Sequence, residues 1–204
     1  MNPFRSSQAR FFLVLGFVYL SVLIWSGIHP HDRYTWYLEI APSLIALPIL
    51  IATYKKFPFT RWVYVFFVLH SCILFIGGKY TYAKNPLFEW IKIHTGGDRN
   101  QYDKLGHFAQ GFFPAFFLRE LYLGKKIFAN LKWIPFFVIT TIALVTVSYE
   151  FIEWWAVVLL GGSANAFLGT QGYVWDTQSD MLLALIGAIC ACFCFRWIYQ
   201  KRTG

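Results

Sequence analysis

The 204-residue chain is 57% hydrophobic and only 14% charged, against roughly 45–50% and about 25% in an ordinary soluble domain. Its formal net charge is +8, and 21% of its residues are aromatic, nine Trp and twelve Tyr among them, residues that favour the membrane–water boundary. This composition excludes a soluble domain and a nucleic-acid partner and implies an all-α, multi-pass integral membrane bundle in contact with the lipid bilayer.

Six apolar spans are each long enough to cross a hydrocarbon core about 30 Å thick, so the residues 1–204 read as a single transmembrane domain. The first, near 11–28, follows Arg5 and Arg10. A signal peptide has a similar beginning, but no small-residue cleavage site follows "VLIWSGIHPHD", and the span is read as an uncleaved helix. The second, near 36–54, carries Glu39, Pro42 and Pro48; prolines are tolerated in a bundle where neighbours take over the freed backbone groups. The third, near 62–80, holds Cys72 and, at mid-depth, His70, read as core packing. An outer loop over 81–104 follows, with Pro86, the "HTGGDRN" turn, and "LFEWIKI" as a short interfacial helix anchored by Trp90. The fourth span, near 105–123, opens on "YDKLGHFAQGF", and the fifth lies near 134–155. A second outer loop over 161–177, rich in Gly, Asn and Gln, contains "GGSAN", which lacks the features of a nucleophile elbow. The sixth span, near 181–198, places Cys190, Cys192 and Cys194 at i, i+2 spacing, turned apart as apolar packing.

Basic residues set the orientation. One side holds Arg5, Arg10, Lys55, Lys56, Arg61, Arg119, Lys125, Lys126, Lys132, Arg196, Lys201 and Arg202; the other holds Arg33, Lys79, Lys84, Lys92, Arg99 and Lys104. Both termini are therefore expected in the cytoplasm. The acids run the other way: Asp32, Glu39, Glu89, Asp98, Asp103, Glu150, Glu153, Asp176 and Asp180 fall on the outer side and Glu120 alone toward the cytoplasm. Orientation does not require so many carboxylates on one face.

Helical geometry gathers these acids. At 1.5 Å per residue from Ile134, Glu150 lies about 24 Å and Glu153 nearly 29 Å along the fifth span, close to its outer end. Asp103 and His107 are i, i+4 at the outer end of the fourth span, and Gln110 and Gly111 continue their face. Asp180 opens the sixth span, with Asp176 a turn above it as an N-cap or as a pocket member. The face below Asp180, Ala184, Gly187, Ala188 and Ala191, is small enough for another helix to approach closely. A charge near the bilayer centre costs at least about 2.5–3.5 kcal/mol, less near the boundary, and two carboxylates one turn apart repel, so the group needs compensation. Lys104, His107 or a divalent metal would supply it. Asp103, His107, Glu150, Glu153 and Asp180 form the candidate metal set, with Mg²⁺, Mn²⁺, Ca²⁺ and Zn²⁺ all compatible with mainly oxygen ligands and one imidazole. His107 and Glu150 are the candidate general bases. The bland counterpart is a satisfied polar network that pins three helices together, with His107 as a hydrogen-bonded interfacial histidine. No H-E-x-x-H helix, Walker loop or dinucleotide-binding glycine motif is present.

The motifs "YDKLGHF", "YEFIEWW" and "FLGTQGYVWDTQSDM" resemble the YjdF-like family of bacterial inner-membrane proteins, whose function is unknown. The resemblance runs from the third span onward. It implies a multi-pass protein of the bacterial inner membrane and adds Tyr102, Gln171, Trp175, Asp176 and Gln178 to the pocket beside Asp103, Lys104, Glu153 and Asp180. Trp154, Gly169, Thr170, Gly172 and Met181 match as well, whereas Tyr173 stands where an acid is expected. Over short motifs alone, the Asp103-Lys104…His107 opening and Asp176-x-x-x-Asp180 are similar to VanZ-like membrane proteins, associated with glycopeptide resistance.

The reading is thus an envelope membrane protein whose outward pocket binds a cation or a polar head group, with metal-assisted chemistry on a lipid or envelope substrate as its catalytic form. The alternatives are a small transporter or proton-coupled carrier and a structural, partner-binding protein. The sequence sets no oligomeric state.

Overall fold

The computed structural model describes residues 3–160, 167 and 169–199. The "GGSAN" stretch beginning at Gly161 and the basic residues Lys201 and Arg202 lie outside them. Among the described residues the chain forms seven α-helices and one 3-10 turn: α1 (Pro3–Gly27), α2 (Arg33–Thr53), α3 (Arg61–Tyr80), α4 (Pro86–Thr95), α5 (Tyr102–Gly124), the turn Leu131–Trp133, α6 (Ile134–Leu160) and α7 (Asp176–Tyr199). α1 and α2 pack on α3, α6 and α7 pack on each other and on α5, and the α3–α5 contact joins the two groups.

Among the described residues five stretches are long and apolar enough to cross a membrane: Ser7–Gly27, Arg33–Thr53, Arg61–Tyr80, Leu131–Leu159 and Asp176–Phe195. α5 is where this differs from the expected six. It has 23 residues, but His107, Gln110, Arg119 and Glu120 dilute its apolar character. Those polar groups are carried by the helix with the most protein around it, since α3, α6 and α7 all lie against it.

The closest of these contacts is that of α5 with α7, and missing side chains make it. A Cβ on Gly111 would lie 1.8 Å from the Ala184 carbonyl oxygen, and one on Gly187 would lie 2.2 Å from that of Phe108. Ala184, Ala188 and Ala191 are fully buried along the same seam. Lipid tails compete equally for apolar surface, so close backbone approach and van der Waals contact hold such helices together. α1 shows the opposite face, with Leu13 71% and Phe17 73% exposed, as suits a helix on the lipid side.

Local chemistry sets the ends. The Asp32 carboxylate accepts the Thr35 backbone N–H at 2.7 Å and caps α2. Asn85 caps α4, Pro86 occupies its first turn, and Gly96 (φ +68°) takes the left-handed conformation that ends it. None of α4's residues is buried, and Trp90 is among its exposed side chains, as an interfacial helix requires. Glu120 of α5 accepts the Thr60 backbone N–H at 2.8 Å and also the Thr60 hydroxyl, so the start of α3 is capped from a neighbouring helix. α7 begins at Asp176, five residues ahead of the expected span. Asp180 therefore lies one turn inside α7 instead of opening it. The apolar run starts only at Met181, but carboxylates are favoured in a first helical turn, and cations from α5 and the loop before it neutralise these.

Candidate functional site

The N-terminal ends of α5 and α7 and the C-terminal end of α6, with α2 beside them, gather six carboxylates that are each at least nine-tenths buried: Glu39, Asp103, Glu150, Glu153, Asp176 and Asp180. The layer divides into a charge-paired rim and an inner part where carboxyl groups outnumber cationic side chains.

At the rim, Arg99 and Lys104 do the pairing. Lys104 Nζ donates to Asp176 Oδ1 at 2.7 Å, to Asp180 Oδ1 at 2.7 Å and to Ser179 Oγ at 2.6 Å. Arg99, absent from the sequence reading of the site, reaches both Asp176 and Asp103, the latter at 3.5 Å. Asp176 is thus an ion-pair partner of two cations and does not act as the N-cap considered above. The ring of Tyr173 lies under both cations, 5.4 Å from the Arg99 guanidinium and 5.6 Å from Lys104 Nζ. A cation over an aromatic face is stabilised by the ring quadrupole, which gives a physical use to the position where an acid was expected.

One turn deeper stands His107. Its Nδ1 lies 3.1 Å from Gln110 Oε1. On the other side of the ring Nε2 lies 3.5 Å from Asp103 Oδ1 and 4.0 Å from Asp180 Oδ1. Asp103, His107 and Asp180 offer three ligand atoms within 4.8 Å of one another. Glu150 comes from α6, with Oε1 3.9 Å from His107 Nδ1, and that oxygen has no hydrogen-bond partner among the described residues. A buried carboxylate oxygen left in this state is costly unless a donor or cation reaches it.

Glu153 and Glu39, together with Asp103 and His107, line a cavity of about 400 Å³ between α2, α3, α5 and α6. Glu39, expected only as an outer-half acid, is 5% exposed. Tyr149 donates to it at 3.4 Å, and Gly78 of α3 lets its Cβ approach, since a Cβ on that glycine would lie 3.1 Å away. Tyr82 completes this corner. Its ring fills the room left by Gly77 and Gly106, where added Cβ atoms would lie 2.2 and 2.6 Å from it. Glu39 and Tyr82 carried little local signal, because their importance depends on α2 and α3 meeting the N-terminal end of α5.

The remaining expected residues hold the frame or lie outside it. Tyr102 is buried and donates to the Ile73 carbonyl at 3.0 Å, tying α5 to α3. Gln171 accepts the Asn100 N–H and donates to the Asn100 carbonyl, both at 2.9 Å, and so fixes the loop that presents Arg99. Asn100 also donates to the Asn85 carbonyl at 2.9 Å and to Glu89 at 3.4 Å. The Lys92 ammonium beside Glu89 holds that carboxyl below the usual carboxylate range. Trp175 and Gln178 are exposed and stand apart from the cluster.

Comparison with known proteins agrees with the membrane architecture. The profile of the family described as "Predicted membrane protein (DUF2238)" matches residues 11–202. The chain is 44% identical over 168 residues, 82% of its length and 80% of the relative's, to "Inner membrane protein YjdF" of Escherichia coli (strain K12). No solved structure matches. With five helices apolar enough to span a bilayer, the chain belongs to the DUF2238 family of predicted membrane proteins and is a multi-pass protein of the inner membrane.

Proposed function

We propose that this protein holds a divalent cation among Asp103, His107 and Asp180, and that the cation and the adjoining cavity together bind the polar head group of an envelope ligand. The observation that carries the reading is the charge balance. Among the described residues six buried carboxyl groups stand against two permanent cations, Arg99 and Lys104, which with every acid ionised is an excess of four negative charges before His107 is counted. Buried charge of that size demands protons or a bound cation. His107 Nε2 faces two carboxylates while Gln110 contacts the ring from behind, an arrangement in which a cation replacing the Nε2 proton would find a ligand with its orienting partner. Mainly oxygen donors with one imidazole suit Mg²⁺, Mn²⁺ or Zn²⁺.

In this reading α5 is a sixth membrane span whose polar groups face protein, both termini are cytoplasmic, and the cluster opens toward the periplasm. The excess of Lys and Arg on the opposite side supports that orientation. A catalytic form, metal-assisted hydrolysis or transfer, draws support from Glu150, whose unpartnered Oε1 is placed to take a proton beside the cluster.

The test is titration of the purified protein with Mn²⁺ after chelation. The wild type and Glu89→Gln are expected to bind one equivalent, and Asp103→Asn and Asp180→Asn to lose saturable binding while remaining folded. Absence of binding in the wild type, or binding unchanged in both Asp variants, would overturn the proposal.

A further inference from the structure

The cavity beside the cluster is built in two halves. Glu39, Asp103, Glu153, His107 and Gln110 line its outer end; Leu50, Phe67, Phe113 and Phe117 line the deeper end. It is long. Leu50 lies eleven positions beyond Glu39 on α2 and Phe117 fourteen beyond Asp103 on α5, which at 1.5 Å per residue is about 17 and 21 Å. Hydrogen-bonding groups recur partway down. Ser43 donates to Ser71 at 2.8 Å, and His70, eight residues and so about 12 Å below Gly78 along α3, has an Nε2 without a partner among the described residues.

The cavity also opens sideways. α2 packs on α3, and α6 packs on α5 and α7. Contact between α2 and α6 is described at their outer ends, in the Glu39–Tyr149 hydrogen bond and the cluster of Leu38 with Tyr149 and Val157. Below that, two lining residues that flank the gap, Ile49 of α2 and Val145 of α6, are 53% and 46% exposed. In a bilayer that exposure faces hydrocarbon, so the gap is a portal for something that arrives from within the membrane.

We infer that the occupant is a membrane lipid bearing a primary amine, which enters between α2 and α6 with an acyl chain along the apolar half and its ammonium between Glu39 and Glu153. This rests on the cation-site reading above and names the head group that shares the site. A divalent cation at Asp103, His107 and Asp180 offsets only part of the excess of carboxylates. No salt bridge with a cationic side chain is formed by Glu39 or Glu153 among the described residues, and Tyr149 donates to Glu39, which favours an ammonium at the cavity's outer end. An acyl chain gains little on leaving one apolar medium for another, so selectivity must come from the head group. Hydrogen bonds to charged groups contribute about 1.5–3 kcal/mol, roughly ten- to a hundredfold in preference.

The test uses the full chain released from vesicles of matched acyl composition and examined by native mass spectrometry, with ethanolamine-, choline- and glycerol-headed phospholipids as probes. The ethanolamine lipid is expected to be retained about tenfold or more over the other two. Glu39→Gln should abolish that preference. Ala46→Trp or Ile49→Trp, two independent plugs of the portal, should reduce retention of every lipid. Equal retention of the three lipids, or a preference for the glycerol head, overturns the inference, as does full retention in both plugged variants. Retention of the choline lipid equal to that of the ethanolamine lipid overturns the assignment of a primary amine. Mn²⁺ titration of the same samples separates the two claims. Binding of Mn²⁺ without lipid preference removes only this inference, and lipid preference without Mn²⁺ binding removes the metal.

Discussion

Replacing Lys104 with methionine removes the ammonium and keeps most of the stem. In the folded protein that ammonium lies 2.7 Å from both Asp176 Oδ1 and Asp180 Oδ1, and neither aspartate side chain is more than 5% exposed. Removing one partner of a buried ion pair costs about 3–5 kcal/mol, because the other charge is left unpaired. Arg99 remains on Asp176, so the unpaired charge falls on Asp180 and the lower end applies, ~3 kcal/mol. For a chain of 204 residues that loss corresponds to a Tm lower by about 6–12 °C. Thermal unfolding in detergent, followed by tryptophan fluorescence, measures it. The double variant Lys104→Met/Asp180→Asn removes the orphaned charge as well and should recover most of the loss, with a coupling of about 2 kcal/mol. If the double variant loses the sum of the two single losses, the buried pairing described for α5 and α7 is wrong.

Other outcomes follow from the same contacts. Gly111→Leu drives a side chain into the Ala184 carbonyl and should cost more than about 3 kcal/mol or prevent folding, whereas Gly16→Leu, with nothing within 4 Å of its added Cβ, should leave Tm within a few degrees. Glu120→Gln weakens the cap on Thr60 and should lower stability by about 1–2 kcal/mol in the same assay. Gln110→Ala frees the His107 ring and should weaken Mn²⁺ binding about 10–100-fold with little change in Tm.

Much of the helical frame was legible in the sequence because lipid imposes a simple rule: a run of about twenty apolar residues becomes a helix. α2 and α3 fall within three residues of their expected bounds. α7 does not, because hydropathy does not register that Asp176 and Asp180 are neutralised by Lys104 and Arg99 from elsewhere in the chain. The i, i+4 pairing of Asp103 with His107 and the depth of Glu150 came directly from helical geometry, and the structure brings them together with Asp180. Arg99, Glu39 and Tyr82 were missed for a common reason. Each enters the site through a contact between distant segments: Arg99 through the Gln171 clamp on Asn100, Glu39 through Gly78, and Tyr82 through Gly77 and Gly106. Gln171 itself came from the motif resemblance and not from any pattern of charge or periodicity. Trp175 and Gln178, suggested by the same resemblance, are exposed and take no part in the cluster.

The most direct test of the central claim is anomalous diffraction at the manganese edge from crystals of the wild-type protein grown with Mn²⁺. The account predicts one strong peak bounded by Asp103, His107 Nε2 and Asp180, at ligand distances of about 2.0–2.3 Å. An empty map at that position, with Lys104 still bridging Asp176 and Asp180 and the metal bound elsewhere or nowhere, would contradict it.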